Sequence, residues 1–172
     1  MAIRIAWHIW MMITHARVTE ALSYDSSTGW FVWLENHGKR CAKGSRAGFS
    51  GGPGYRQIRI DGQLHYEHRV AVLWMTGQFP NHTVDHINGD KRDNRWCNLR
   101  CATFSQNSAN AKPKIGRSSA FKGVSRTRKR WQAHIKIGGK SLYLGSFDDE
   151  ESAHAAYARA SEEIFREFAR AK

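Results

Sequence analysis

Cysteine is scarce in this chain, with Cys41, Cys97 and Cys101 the only three. An odd count without dense spacing argues against a disulfide framework and predicts a reducing, cytoplasmic setting. Long apolar runs are missing too. The most apolar stretch, MAIRIAWHIWMMI at the start, is too short to cross a bilayer and lacks a small-residue cleavage site, so it reads as neither anchor nor secretory signal. Acidic residues are the third shortage: 15 Asp and Glu stand against 27 Lys and Arg, giving a net charge of +12 and a pI near 10.1. That imbalance makes a polyanion the first partner to consider, nucleic acid before an acidic membrane surface. Between Lys112 and Lys140 the deficit is complete, with no Asp or Glu at all.

What is present is ordinary for a globular protein. A chain of 172 residues with 41% hydrophobic content can bury a core and fits one domain or two small ones. Met11 and Met12 offer in-frame starts, and residues 1–11 are expected to be disordered or mis-started, with a short extra helix packed on the body as the alternative. THARVTEAL then reads as a capped helix and YDSSTGWFVW as a strand. Residues 38–54, rich in Gly, Ser and basic side chains, predict a mobile loop. YRQIRIDGQLHY carries two alternating runs around Asp61-Gly62, a strong short-range hairpin signal. HRVAVLWMTG predicts a helix stopped by Gly77 and Pro80, with Trp74 and Trp96 expected in the core. NAKPKIGRSSA, containing Pro113 and Gly116, reads as a basic linker between two domains.

Beyond the linker, FKGVSRT, WQAHIKI and SLYLGSF alternate over strand length and are joined by short basic or Gly-Gly turns, which predicts a three-stranded antiparallel meander. From Asp149 a helix follows, acidic in its first turn and with Arg in its last, and Ala153, Ala156, Tyr157, Ala160, Ile164 and Phe168 form an apolar stripe for one sheet face. The other face carries Lys122, Thr127, His134, Lys136, Ser141 and Tyr143, polar and basic with no carboxylate, which favours nucleic acid over a merely solvated surface.

FKGVSR, WQAHIKI, YLGSFD and the Ala-rich AAYARAS together resemble the AP2 DNA-binding domain. The resemblance implies a sheet lying in the major groove, with Lys122, His134, Lys136 and Tyr143 as contacts to double-stranded DNA, and the basic turn residues Arg126, Arg128, Lys129 and Arg130 are expected to add phosphate contacts. Ser125, Thr127 and Ser141 stand where plant members tend to have Arg, which weakens bidentate base readout.

The centre of the chain, VDHINGDKRDNRWCNLRCATFSQN, crowds Asp and Asn around one His. Such residues compete for backbone hydrogen bonds and suit a loop-rich site better than a packing unit. The order Asp-His, Asn, Asn resembles the HNH nuclease motif of phage and intron-borne homing endonucleases, and HRVAVLWMTGQFP resembles the helix that leads into it. The resemblance implies a ββα-metal unit in an α+β protein: His86 as general base, Asn98 holding the long loop so that His86 is oriented, and Asp85 and Asn107 as ligands of one Mg²⁺ or Mn²⁺, with Asn110 an alternative ligand. The residue types suit that chemistry. A near-neutral imidazole can take a proton from water, and hard oxygen donors favour Mg²⁺ over Zn²⁺. Asn94 and Asp93 read as turn residues, and His68 and Arg69 as helix-positioning or phosphate-touching ones.

A rival from the residues alone is a structural zinc site, since His82 and His86, and Cys97 and Cys101, are each four apart. It leaves Asp85 and the asparagines unexplained. The partition expected is an accessory segment over 1–54, an HNH domain over 55–111, a basic linker over 112–119 and an AP2-like domain over 120–172. The function expected is a metal-dependent DNA endonuclease, with a DNA-binding protein whose nuclease unit has decayed as the alternative.

Overall fold

The computed structural model describes residues 13–38, 41–52, 54–112 and 118–170. The expectations for residues 1–11 and for Pro113 and Gly116 lie outside them. The chain divides into two compact units, one taking in residues up to 86 together with 90–99, the other 87–89 together with 100 onward.

In the first unit, α1 (His15–Ala21) starts at Thr14, whose hydroxyl accepts from the Arg17 amide. The chain then turns straight into β1 (Leu22–Asp25) and β2 (Trp30–Trp33), an antiparallel pair running from Leu22 opposite Trp33 to Asp25 opposite Trp30. The stretch YDSSTGWFVW is therefore the end of the first arm, the turn and the second arm of a hairpin, not one strand. Asp25 explains the reversal, because its carboxylate accepts from the Ser27 amide and hydroxyl at 2.8 and 2.7 Å and competes with continued extension.

The segment predicted as a mobile loop is folded where it is described. Trp33 exchanges backbone bonds with Ser45 and Gly44, Arg46 bridges Val32, Ala47 is fully buried, and β3 (Phe49–Ser50) pairs with β4 (Arg56–Ile60). Small and basic residues let the backbone lie against an exposed strand edge, a possibility that composition alone does not reveal. β4 continues through Asp61-Gly62, both with positive φ, into β5 (Gln63–Tyr66), as the sequence predicts. Arg17 reaches across to that turn, donating to both Asp61 oxygens at 2.9 Å. Then α2 (Glu67–Thr76) ends at Gly77 in the left-handed conformation. Val18, Leu22, Phe31, Ile58, Ile60, Val70 and Leu73 form the core, with Val84 of β6 (Thr83–His86) and Leu99 joining it, and Trp74 and Trp96 packed partly buried at its edge. Each large apolar side chain removed from water contributes about 1.5–3 kcal/mol.

The second unit holds most of β7 (Leu99–Ala102) and α3 (Phe104–Asn110), which opens with a reciprocal Thr103–Gln106 capping box. The predicted meander follows as β8 (Val124–Thr127), β9 (Arg130–Ile137) and β10 (Lys140–Phe147), with β9 central. Covering one face is α4 (Glu150–Phe165), capped by Asp149. Two details of that helix differ from the sequence reading. The buried stripe is Ala153, Tyr157, Ser161 and Phe165, so strict four-residue steps carry it past Ile164, which is exposed. The helix also ends before any Arg enters its last turn: Arg166 is the C-cap with φ 49°, and a short 3₁₀ turn (Arg166–Phe168) then buries Phe168.

One contact ties the β1–β2 turn to the residues that follow β6. Gly29 has φ 74°, and a Cβ there would overlap the backbone of Asn94 and Arg95, while Trp96 donates its amide to Ser26 at 3.0 Å. Gly29→Ala should therefore destabilise the protein by at least about 2 kcal/mol, from left-handed strain plus forced displacement. The check is urea unfolding, read as a lower midpoint at unchanged slope.

Candidate active site and basic sheet

β6 ends in Val84, Asp85 and His86, all buried, and the 3₁₀ turn Trp96–Asn98 comes after a loop rich in Asp and Asn. That loop is held from several sides within the first unit. Asn98 donates from Nδ2 to the Asp93 carbonyl at 2.7 Å, Tyr24 donates its hydroxyl to the Asn94 carbonyl at 2.6 Å, and Arg95 grips the Asp93 carboxylate.

One side chain that meets His86 is Asn94, read from the sequence as a turn residue. Its Oδ1 lies 3.0 Å from His86 Nε2 and its Nδ2 donates to Glu67 Oε2 at 2.8 Å. Glu67, 1% exposed at the first turn of α2, also accepts from Arg56 Nε at 2.9 and 3.0 Å, and Arg56 donates onward to the Ala47 carbonyl. Gly48 makes room for this group, since a Cβ there would overlap Glu67 Oε1. Burial pushes the Glu67 carboxyl upward, and the Arg56 guanidinium and the Asn94 amide oppose that shift. The sequence reading missed Glu67, Arg56 and Asn94. A glutamate opening an apolar helical run was the available signal, but a charge in a first turn usually serves the helix dipole.

An aromatic cluster surrounds the imidazole. His68 meets His86 edge to face at 5.1 Å between centroids, and Tyr55 lies 5.1 Å from His68 and 6.1 Å from His86. The Lys91 ammonium sits 4.6 Å above the Tyr55 ring. His68 is buried with Nδ1 unpaired, and burial, reinforced by His86 and Arg69, drives its pKa down to about 3. Arg69 donates to the Pro80 and His82 carbonyls, so it fixes the chain between α2 and β6.

In the second unit, Asn107 lies half-buried in the middle of α3. Asn110 is buried at its end and donates to the Ile87 carbonyl at 3.4 Å. Lys122 is engaged inside the protein, its ammonium donating to the carbonyls of Ser108, Ala109 and Ala111 at the C-terminus of α3, where a cation offsets the helix dipole. The strand register sets the outer face of the sheet. Ser125 opposes Gln132, Thr127 opposes Arg130, Lys136 opposes Ser141 and His134 opposes Tyr143, whose ring lies 5.2 Å from the imidazole. That face has no carboxylate. Arg128 and Lys129 form the exposed β8–β9 turn, Arg126 stands over the Trp131 ring at 5.5 Å, and Arg130 donates to the Ser146 carbonyl and pairs with exposed Asp148 at 3.2 Å. As for the zinc alternative, Cys97 and Cys101 are exposed free thiols, and no cluster of three or more His, Cys, Asp or Glu suited to a metal occurs among the described residues.

Comparison with known proteins matches residues 65–109 to the family described as HNH endonuclease. The chain is 32% identical over 123 residues to an uncharacterized HNH endonuclease of Acanthamoeba polyphaga mimivirus, covering 70% of this chain and 64% of that protein. Over 47 residues, 26% of the chain, it is 47% identical to APETALA2-like protein 2 of Oryza sativa subsp. indica, covering 11% of that protein. It is 45% identical over 47 residues to an AP2-like ethylene-responsive transcription factor of Arabidopsis thaliana, covering 10% of it. The chain thus spans just under two thirds of the viral relative and about a tenth of the plant ones. Both resemblances read from the sequence are borne out. No helix among the described residues is long and apolar enough to cross a membrane.

The buried His68 makes stability depend on pH in a definite direction. The folded protein keeps this imidazole neutral down to about pH 3, whereas the unfolded chain takes up a proton below its ordinary 6.5. Stability is therefore full above pH 6.5 and lost as pH falls, by about 2 kcal/mol between pH 7 and 5. Urea unfolding at several pH values should show that slope in the parent and a flatter one in His68→Phe.

Proposed function

We propose that this chain, HNH-like at its centre and AP2-like toward its C-terminus, is a metal-dependent endonuclease that hydrolyses phosphodiester bonds in double-stranded DNA, as a homing or nicking enzyme. The observation that carries the reading is the buried His86 at the end of β6, held through Nε2 by Asn94, inside the segment that matches the HNH family. Decay of the nuclease unit accounts poorly for a charged side-chain chain maintained behind that one histidine.

His86 accepts the proton of the attacking water, and Asn98 keeps the loop that carries Asn94 in register. The HNH resemblance would assign the metal to Asp85 and Asn107, and a carboxylate and an amide oxygen are donor types that suit a hard divalent cation better than zinc. When bound, such an ion would stabilise charge on the phosphate and the departing 3′ oxygen. Arg126, Arg128, Lys129, Arg130, His134, Lys136 and Tyr143 grip the duplex. The scarcity of Arg on the sheet face favours phosphate contact over base readout.

Plasmid nicking in Mg²⁺ tests the reading. His86→Ala should abolish nicking while leaving duplex affinity nearly intact, since a base acts in the transition state more than in binding. Asp85→Ala should raise the Mg²⁺ concentration needed. Near-parent nicking by His86→Ala would overturn the assignment.

Binding is tested by substitution, not truncation, because Arg170 near the end of the chain donates to the Asn88 carbonyl and a cut would disturb the second unit. Replacing both Arg128 and Lys136 by Ala should weaken binding evenly across duplex sequences. It should also lower the slope of log affinity against log salt by about 0.9 per lost phosphate contact. An unchanged slope would mean the charge elsewhere binds the DNA.

A further inference from the structure

The HNH-like segment over 65–109 is divided between the two units. Ile87–Gly89, β7 from Arg100 onward and α3 all belong to the compact unit that also holds the AP2-like sheet and α4. Within that unit, basic side chains fasten these pieces together. The Lys122 ammonium, just ahead of β8, has three hydrogens and donates to three carbonyls, those of Ser108, Ala109 and Ala111, at 2.5, 2.5 and 3.0 Å. Toward the other end of the helix, the Gly138 amide in the β9–β10 turn donates to Ser105 Oγ at 2.9 Å. The sheet therefore grips α3 on both sides of Asn107.

The chain beyond α4 does the same for the neighbouring pieces. In the turn Arg166–Phe168, the Glu167 carbonyl accepts from Arg100 Nη1 at 2.7 Å, and the Arg100 guanidinium stands 3.8 Å over the Phe168 ring. Phe168 is itself buried in one cluster with Ala102 of β7 and Ala109 of α3. Arg170 then donates to the Asn88 carbonyl at 3.0 Å and to the Asn110 carbonyl at 3.4 Å, while Asn110 donates back to the Ile87 carbonyl. Gly89 leaves the room this needs, because a Cβ there would overlap the Arg170 guanidinium. One guanidinium thus joins the end of α3 to the chain just after His86.

We infer that Lys122 and Arg170 are positioning residues of the nuclease, not contacts to DNA, and that the AP2-like unit is the scaffold that sets α3 and the chain after His86. The inference rests on the nuclease reading above and adds residues that lie outside the HNH-like segment. Attraction to a phosphate is a poor alternative for Lys122. Carbonyls at a helix end lack partners within the helix, and the ammonium could reach a phosphate only by releasing them. Arg128 and Lys129, in an exposed turn, face no such cost. Basic residues of this unit therefore divide by role: those on the turn and outer face set affinity, and those holding α3 set rate.

The test uses the full-length protein and three measurements: affinity for a fixed duplex at several salt concentrations, plasmid nicking in Mg²⁺ at saturating DNA, and amide hydrogen exchange without metal or DNA. Lys122→Met and Arg170→Met should each keep the parent's duplex affinity and salt slope. Their kcat for nicking should fall by about 10- to 100-fold, as when a group supporting a ligand-bearing element is lost. Amides of α3 should exchange faster in both variants while those of β9 keep their protection. A salt slope lowered by about 0.9 in Lys122→Met would make it a phosphate contact and overturn the inference. An unchanged kcat overturns it as well, and so does a loss of protection that spreads equally to β9, which would mean general destabilisation. If Lys122→Met fails to fold, Arg170→Met decides by the same three readings. The nuclease reading fails separately, by nicking that survives His86→Ala, and the salt and exchange measurements are read without any nicking.

Discussion

A carboxylate almost wholly removed from water organises the first unit. Placing an isolated charge in the interior costs several kcal/mol, and losing one member of a buried pair typically costs about 3–5 kcal/mol. Glu67 is tolerable there because Arg56 and Asn94 both donate to it, and those two donors come from segments far apart in the chain. β4 must bring Arg56 alongside α2, Gly48 must lack a side chain, and the loop after β6 must fold back over the helix start. The hairpin that precedes all of this takes part as well, through Gly29 beneath Asn94 and Tyr24 bonded to its carbonyl. One buried charge thus links the N-terminal hairpin, the middle sheet and the site.

Local signals carried much of the architecture into the sequence. Asp61-Gly62 predicted its hairpin because few residues tolerate positive φ at two successive positions, and Gly77 ended α2 for the same reason. The alternation in WQAHIKI and SLYLGSF predicted the meander and which side chains share its outer face. Signals that depend on distant partners were lost. Asn94 in a run of Asp and Asn looks like every other turn residue until Glu67, 27 positions earlier, is seen to fix its amide. Lys122 looks like one more surface cation until α3 offers its last carbonyls. The Gly- and Ser-rich stretch over 41–52 was read as mobile because composition reports the loss of side-chain packing but not the gain of backbone pairing along β2 and β4.

Within the second unit, charge is handled in the opposite manner. No carboxylate faces outward from the sheet, and Asp148, an acidic partner of its cations, is exposed and paired with Arg130, an arrangement worth little in water and readily exchanged for a phosphate. Lys122, one of the cations tied down internally, serves the C-terminus of α3. Side chains that remain solvated until a polyanion arrives are suited to counterion release, which depends on number and sign more than on geometry.

The contrast follows from what each group must do. A phosphate contact tolerates an ångström of error, since a charge–charge attraction falls slowly with distance and a long Lys or Arg side chain can follow its target. A proton acceptor does not. Its lone pair must point at one atom, and an imidazole offers two nitrogens of which one will be wrong. Rotating freely or sampling both tautomers, a histidine in that role would spend much of its time with a hydrogen where the lone pair is needed. Fixing it requires a partner that only accepts, that partner must itself be prevented from flipping, and an amide is prevented from flipping most firmly by an ion. In the first unit the contacts run in order from Arg56 to Glu67 to Asn94 to His86, so the buried charge and the buried imidazole are joined by a single amide.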